Sequence, residues 1–126
     1  MFKALIVEDN MDFRQTLNEV LSSSFPSMAI AEAADGKDAM EMIDSFKPDL
    51  VFMDVKLPDG NGLSLTKIIK ADRSGTIVIV ITAYDIPEYR QAAMQAGASY
   101  FIPKGALSRE EVLAIVESIL IGQNYH

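Results

Sequence analysis

Cysteine and tryptophan are absent from the 126 residues, and the single histidine stands at position 126. Without Cys there is no disulfide framework, no thiolate metal site and no Cys nucleophile. With one imidazole at the end of the sequence, a Ser-His-Asp triad or a His-ligated zinc site lacks its raw material. Basic residues are scarce too: 11 Lys and Arg stand against 18 Asp and Glu, a formal net charge of −7. Such a surface repels polyphosphate and argues against nucleic-acid binding by this chain itself. Long apolar runs are also missing. None reaches the roughly 18 residues that span a bilayer, and the apolar stretch 2–7 is stopped at once by Glu8 and Asp9, which excludes a signal segment. These gaps predict no membrane association and a cytoplasmic protein.

No Pro/Gly/Ser linker, internal repeat or low-complexity tract interrupts the chain, so 1–126 reads as a single domain. Its 49% hydrophobic and 23% charged residues are ordinary globular composition, and at this length roughly two-thirds of the unfolded surface can be buried. Short apolar runs rich in β-branched residues recur at 4–7, 28–31, 50–53, 76–81 and 100–102. Continuous apolar character suits strands covered on both faces, as in a parallel sheet. Between them lie helical periodicities at 11–23, 36–46 and 61–71, then from Pro87 to just before Gly97, and from Ser108 onward. Asn10 and Asp35 stand at helix starts, and Ser108 with Glu111 reads as a capping box. Alternation of five strands with five helices predicts an α/β, doubly wound (βα)5 fold: a five-stranded parallel sheet with helices on both faces. Met11, Met28, Met40, Met42, Met53 and Met94 fall in apolar runs and read as core filler.

In an open α/β sheet, ligands bind beyond the carboxyl ends of the strands. The first run ends in Glu8 and Asp9, the third in Asp54, and the fourth in Thr82, Ala83 and Tyr84; Lys104 follows the fifth. Three carboxylates, a hydroxyl and an ammonium therefore converge on one rim. Carboxylates held this close repel one another and raise at least one pKa unless a cation joins them. Their hard oxygens suit Mg²⁺ or Mn²⁺. A carboxylate nucleophile, a divalent cation, a lysine and a hydroxyl are the parts that attack, neutralise and position a phosphoryl group. Each residue alone has a plainer explanation: Glu8 and Asp9 as helix caps, Asp54 in a turn, Thr82 as a strand end, Lys104 solvated. Their joint occurrence in this strand order is what points to chemistry.

That order resembles the receiver domain of two-component response regulators over essentially the whole chain. The residues that carry the resemblance are LIVED at 5–9, DLVFMDVKLPDGNG at 49–62, IVITA at 79–83 and GASYFIPK at 97–104. The resemblance implies a flavodoxin-like receiver fold. It implies that Asp54 is the phosphoacceptor, taking its group from a phosphohistidine on a sensor histidine kinase or a histidine phosphotransfer protein. It also implies that Glu8, Asp9, Asp54 and the backbone carbonyl of Lys56 hold Mg²⁺ (or Mn²⁺), that Thr82 is the switch hydroxyl, and that Lys104 is the salt-bridge partner. Phe101 matches the switch aromatic but lacks the hydroxyl of a Tyr. Lys56 and Tyr84, two residues after Asp54 and Thr82, are candidates for setting phosphoryl lifetime. The chemistry is self-phosphorylation and its reversal, not turnover of a separate substrate.

Two departures from the family bear on partners. Pro103 precedes Lys104 and Gly105 follows it, so the cis Lys-Pro bond of many receivers cannot form there. The Lys-Gly-Ala continuation resembles receivers joined to a helix-turn-helix DNA-binding output domain, which these residues do not include. The expected output surface is the fourth helix, fifth strand and fifth helix. Ile86, Leu107 and Ile121 read as apolar surface for a phosphorylation-linked homodimer. A pseudo-receiver that binds a partner constitutively would lack Asp54, Lys104 or the acidic pair. A flavodoxin-like cofactor binder would want a Ser/Thr/Gly-rich phosphate loop where Glu8, Asp9, Asn10 and Met11 stand.

Overall fold

The computed structural model describes residues 1–123; His126, the chain's one imidazole, lies outside the described residues. The elements run β1 (Lys3–Val7), α1 (Met11–Ser24), β2 (Ala29–Ala33), α2 (Gly36–Phe46), β3 (Leu50–Asp54), β4 (Lys56–Leu57), β5 (Gly60–Asn61), α3 (Gly62–Asp72), β6 (Ile77–Thr82), α4 (Pro87–Ala96), β7 (Tyr100–Pro103) and α5 (Arg109–Gly122). Five strands form one parallel sheet in the order β2-β1-β3-β6-β7. The doubly wound fold read from the alternation is the fold observed. Strand order reverses at β1, whose neighbours β2 and β3 lie on opposite sides, so the crevice beyond β1 and β3 is the switch point of the sheet.

Pleating sorts each strand between two cores. Leu5, Val7, Val51, Met53, Val78 and Val80 pack with Ala39, Ile43, Ile69 and Ala93 on the α2-α3-α4 side. Ala4, Ile6, Leu50, Phe52, Ile79 and Ile81 pack with Leu17, Leu21, Val112, Val116 and Ile119 on the α1-α5 side. Both faces of β1, β3 and β6 are thus buried, which explains their unbroken apolar runs. The edge strand β2 is different. It continues through Glu32 to Ala33, two residues past the apolar run, because an edge position lets Glu32 point to solvent and meet Arg14 at 2.6 Å.

Helix starts follow their caps: Asn10, Asp35, Asn61 and Ser108 each accept a backbone N–H of the first turn. Pro87 opens α4, and Gly97, at φ 104°, ends it in a left-handed conformation that costs glycine nothing. The core-filler reading needs correction at two residues. Met11 and Met94 are half exposed, because each falls on the outward side of its helix and not on the apolar stripe. Leu107 is partly exposed and also packs against the α1-α5 core. The β4–β5 hairpin was not anticipated, since two-residue strands leave no periodic signal.

Gly62 closes that hairpin where α3 begins. Its N–H donates to Val55 O at 2.8 Å, and a Cβ there would overlap the backbone oxygen of Asp54. Gly60, one residue inside the hairpin, has open space around it. Gly62→Ala is expected to destabilise the fold by about 2 kcal/mol or more, as backbone overpacking does, and Gly60→Ala to change it by less than about 1 kcal/mol. Denaturant melts of the two variants beside the parent check this; equal melts would show that the hairpin gives way freely at Gly62.

Candidate functional site

Strand geometry delivers the site residues. β1 ends at Val7, so Glu8 and Asp9 leave the sheet at the switch point, and Asp54 is the last residue of β3 beside them. One carboxylate oxygen from each of Glu8, Asp9 and Asp54 lies within 4.8 Å of the others. Glu8 is fully buried and Asp54 nearly so, whereas Asp9 is exposed. Lys104 reaches in from the single 3-10 turn (Lys104–Ala106) that follows β7. Its Nζ stands 2.6 Å from Glu8 Oε1 and 3.5 Å from Asp54 Oδ2, and 4.9 Å from the centre of the Phe13 ring. At rest the closest partner of Lys104 is therefore Glu8, not Asp54.

The acidic turn is held from outside. Glu8 Oε2 accepts the N–H of Asn10 at 3.0 Å, and Arg14 Nη1 donates to the carbonyl of Glu8 at 2.8 Å. Arg14 and Asn18 also bind the two carboxylate oxygens of Glu32, each at 2.6 Å, which ties α1 to β2 beneath the turn. Arg14 was missed in reading the sequence. Its position one helical turn beyond Asn10 was the available signal, but only the bent path of the 8–10 turn makes it useful.

Thr82 ends β6 and is fully buried. Its Oγ1 accepts the N–H of Tyr84 at 3.0 Å, which leaves the hydroxyl hydrogen free to be donated. Phe101 is already buried and belongs to the core on the α2-α3-α4 side. It pairs with Val80 across β6 and β7, and Thr82 follows Val80 by two residues, so Thr82 and Phe101 share one face of the sheet. The Arg90 guanidinium lies 4.8 Å from the ring centre of Phe101. Tyr84 is exposed, and the Lys56 ammonium stands 5.2 Å from its ring centre. The residues singled out by sequence thus fall into an acidic pocket with Lys104, a buried Thr82–Phe101 face, and a Lys56–Tyr84 pair.

Electrostatics in the pocket are unbalanced. Burial and then the neighbouring Glu8 raise the Asp54 pKa from 3.8 to about 7, against a smaller lowering by Lys104. Burial works against the Lys104 ammonium, but hydrogen bonding to Glu8 and the charge of Asp54 outweigh it, so that pKa is raised. Glu8 Oε1 is buried, with the Lys104 ammonium 2.6 Å away as its charge partner. Three clustered carboxylates, two of them buried, with no soft donor among them fit a hard divalent cation. Asp9 is open to solvent, which suits an ion that keeps part of its water shell.

The family described as "Response regulator receiver domain" matches residues 4–117. Response regulator GacA of Pseudomonas aeruginosa is 30% identical over 125 residues, 99% of this chain and 58% of that protein. A solved two-component response regulator from Clostridium difficile superposes with a TM-score of 0.91 at 27% identity, covering 98% of this chain and 99% of that one. The signal receiver domain of a DNA binding response regulator protein from Colwellia psychrerythraea gives a TM-score of 0.87 at 26% identity, covering 94% and 98%. Several curated relatives are longer: the chain spans about half the length of those it matches.

A carboxyl whose pKa is higher folded than unfolded keeps a proton that the unfolded chain has lost. Between pH 3.8 and about 7, Asp54 therefore makes stability fall as pH rises. The metal-free protein is expected to lose several degrees of melting temperature from pH 5 to pH 7.5, and Asp54→Asn to lose less. Mg²⁺ at pH 7.5 is expected to raise the melting temperature of the parent and much less that of Asp54→Asn. Scanning calorimetry across pH, with and without Mg²⁺, checks the sign; a parallel fall in both proteins would remove Asp54 as its cause.

Proposed function

Because the chain belongs to the response regulator receiver domain family, we propose that it is a phosphoacceptor switch in which Asp54 takes a phosphoryl group from a sensor histidine kinase or a histidine phosphotransfer protein. The observation that carries this reading is the buried carboxylate of Asp54 beside Glu8 and Asp9, with Lys104 as the ammonium in reach. It is a signalling phosphoacceptor and not a conventional enzyme. We take 1–126 as one receiver domain.

In the proposed step a carboxylate oxygen of Asp54 attacks the phosphorus of phosphohistidine. The O–P bond forms as the P–N bond breaks; the imidazole nitrogen keeps the electron pair and takes up a proton. Glu8, Asp9, Asp54 and the backbone carbonyl of Lys56 would hold Mg²⁺ (or Mn²⁺), which when bound supplies the positive charge that lets the carboxylates and the phosphoryl oxygens share one pocket. Lys104 stays protonated and exchanges part of its pairing with Glu8 for a phosphoryl oxygen. Thr82 donates the hydroxyl hydrogen that its contact with Tyr84 N–H leaves free.

Phosphorylation adds nearly two negative charges at Asp54. Drawing Thr82 toward them changes the packing on the face it shares with Phe101, and from there the α4-β7-α5 surface. A preference of a few kcal/mol for one packing is enough to shift the population. Exposed Ile86 and Ile121 are consistent with a homodimer through that surface. The proposal includes an output domain of the DNA-binding helix-turn-helix type, suggested by the Lys104-Gly105-Ala106 continuation; one similar receiver is that of a DNA binding response regulator protein. Lys56 and Tyr84, which form a cation–π pair, are the residues proposed to limit the approach of hydrolytic water.

Incubation with Mg²⁺ and phosphoramidate is expected to add the mass of one phosphoryl group to the parent and none to Asp54→Ala; intact mass spectrometry decides, and labelling of the variant would reject the assignment. Tyr84→Ala is expected to shorten the phosphoryl half-life severalfold, followed by the loss of that mass over time. An unchanged half-life would leave Tyr84 without a shielding role.

A further inference from the structure

Asp59 sits at the tip of the β4–β5 hairpin, and nothing in the proposed chemistry uses it. Its side chain is exposed, yet both carboxylate oxygens have backbone partners. Oδ1 accepts the N–H of Gly36 at 2.7 Å and Oδ2 accepts the N–H of Lys37 at 3.0 Å, the first two amides of α2. That helix already has its own cap, because Asp35 accepts the N–H of Asp38 at 2.8 Å. Asp59 therefore brings a second carboxylate from a distant part of the chain to the two amides that Asp35 leaves. These bonds hold the Asp59 carboxyl below the usual carboxylate range. Gly36 makes the approach possible: a Cβ there would stand 3.1 Å from Asp59 Oδ1.

Leu57, beside Lys56, is buried in the α2-α3-α4 core and anchors one side of the hairpin. The hairpin's ladder is two residue pairs long, Lys56 with Asn61 and Leu57 with Gly60, which is too short to fix its own orientation. Its base is held by Val55 N–H to Ile81 O at 3.2 Å and by Gly62 N–H to Val55 O at 2.8 Å. Its tip is held by Asp59. Between the two lies Lys56, whose ammonium covers the Tyr84 ring.

We propose that Asp59 is a positioning residue, fastening the hairpin tip to the N-terminus of α2 and thereby fixing where Lys56 stands at the rim of the acidic pocket. The clamp is independent of the phosphoacceptor reading; its consequence for metal binding rests on that reading, through the Lys56 carbonyl. Loss of the clamp leaves Glu8, Asp9 and Asp54 in place but frees one ligand from its fixed position, as the loss of an outer support does at other metal sites.

The test uses the full chain as Asp59→Ala, Asp59→Asn and Asp35→Ala. The last removes a cap from the same helix without touching the hairpin, so it reports helix destabilisation alone. Mg²⁺ affinity is measured by titration calorimetry, and amide hydrogen exchange is followed at Lys56, Leu57, Gly60, Asn61 and Gly62. Asp59→Ala is expected to weaken Mg²⁺ binding by roughly tenfold and to speed exchange across the hairpin. Asp59→Asn, which keeps one acceptor, falls between it and the parent. Asp35→Ala is expected to lower the melting temperature with affinity and hairpin exchange unchanged. Parent-like affinity and exchange in Asp59→Ala would overturn the proposal, as would equal effects from Asp35→Ala. If the parent itself binds no Mg²⁺, the reading of the acidic pocket fails instead, and hairpin exchange alone decides: faster in Asp59→Ala upholds the clamp, unchanged refutes it.

Discussion

Three carboxylates share the end of the sheet with one ammonium, and that imbalance governs what surrounds them. Two buried acids cannot both ionise at low cost beside a third, so Asp54 holds its proton up to about pH 7 while Lys104 is drawn against Glu8. The resting pocket is thus partly neutralised by a proton and partly by a lysine. Each can be displaced. A group that must later accept and release charge is better built this way than around a fully satisfied ion pair, whose disruption would leave a buried charge unpaired.

An unbalanced pocket needs a rigid floor, and the sheet supplies it. β1, β3 and β6 are buried on both faces, so the positions from which Glu8, Asp54 and Thr82 project are fixed by two cores at once. The rim is built differently. Lys104 stands on a single 3-10 turn, Lys56 on a two-pair hairpin and Tyr84 on the connection to α4. Beside the buried Leu57, the hairpin is held by discrete polar links, the Asp59 carboxylate on the first two amides of α2. Acceptor and cluster are rigid, while the groups that adjust to a ligand are hung on replaceable contacts.

What was legible in the sequence follows the same division. Strands buried on both faces announce themselves as apolar runs, and whatever ends them must lie at one rim, so Glu8, Asp9, Asp54, Thr82 and Lys104 could be gathered before any coordinates. Local chemistry was legible too, since Asn10, Asp35 and Ser108 cap the helices they precede. Contacts set by long-range geometry were not. Asp59 looks like an ordinary turn residue between Pro58 and Gly60, and its partners lie 23 and 22 residues earlier. Glu32 interrupts an apolar run and hid the true end of β2, because only the strand order reveals that β2 is an edge. Met11 and Met94 were misjudged for a related reason: a short apolar window does not say which side of a helix meets the sheet.

The least obvious consequence concerns the aromatic side chain on β7. In a receiver with Tyr at this position, the hydroxyl gives the ring a polar reason to choose one orientation. Phe101 has none, and its ring is already buried with Arg90 over its face. Arg90 in turn lies 3.6 Å from Asp85, in the connection that begins just after Thr82. A displacement of Thr82 toward a phosphoryl group would therefore reach Phe101 by two routes. One is direct repacking on their common face of the sheet; the other is the 83–86 connection pulling on Asp85 and so on Arg90. Both routes act by contact and charge, and neither needs the ring to hydrogen bond. On the proposed function, the change at this surface would be a redistribution of packing around a ring already inside, not a swing of the ring from solvent to core.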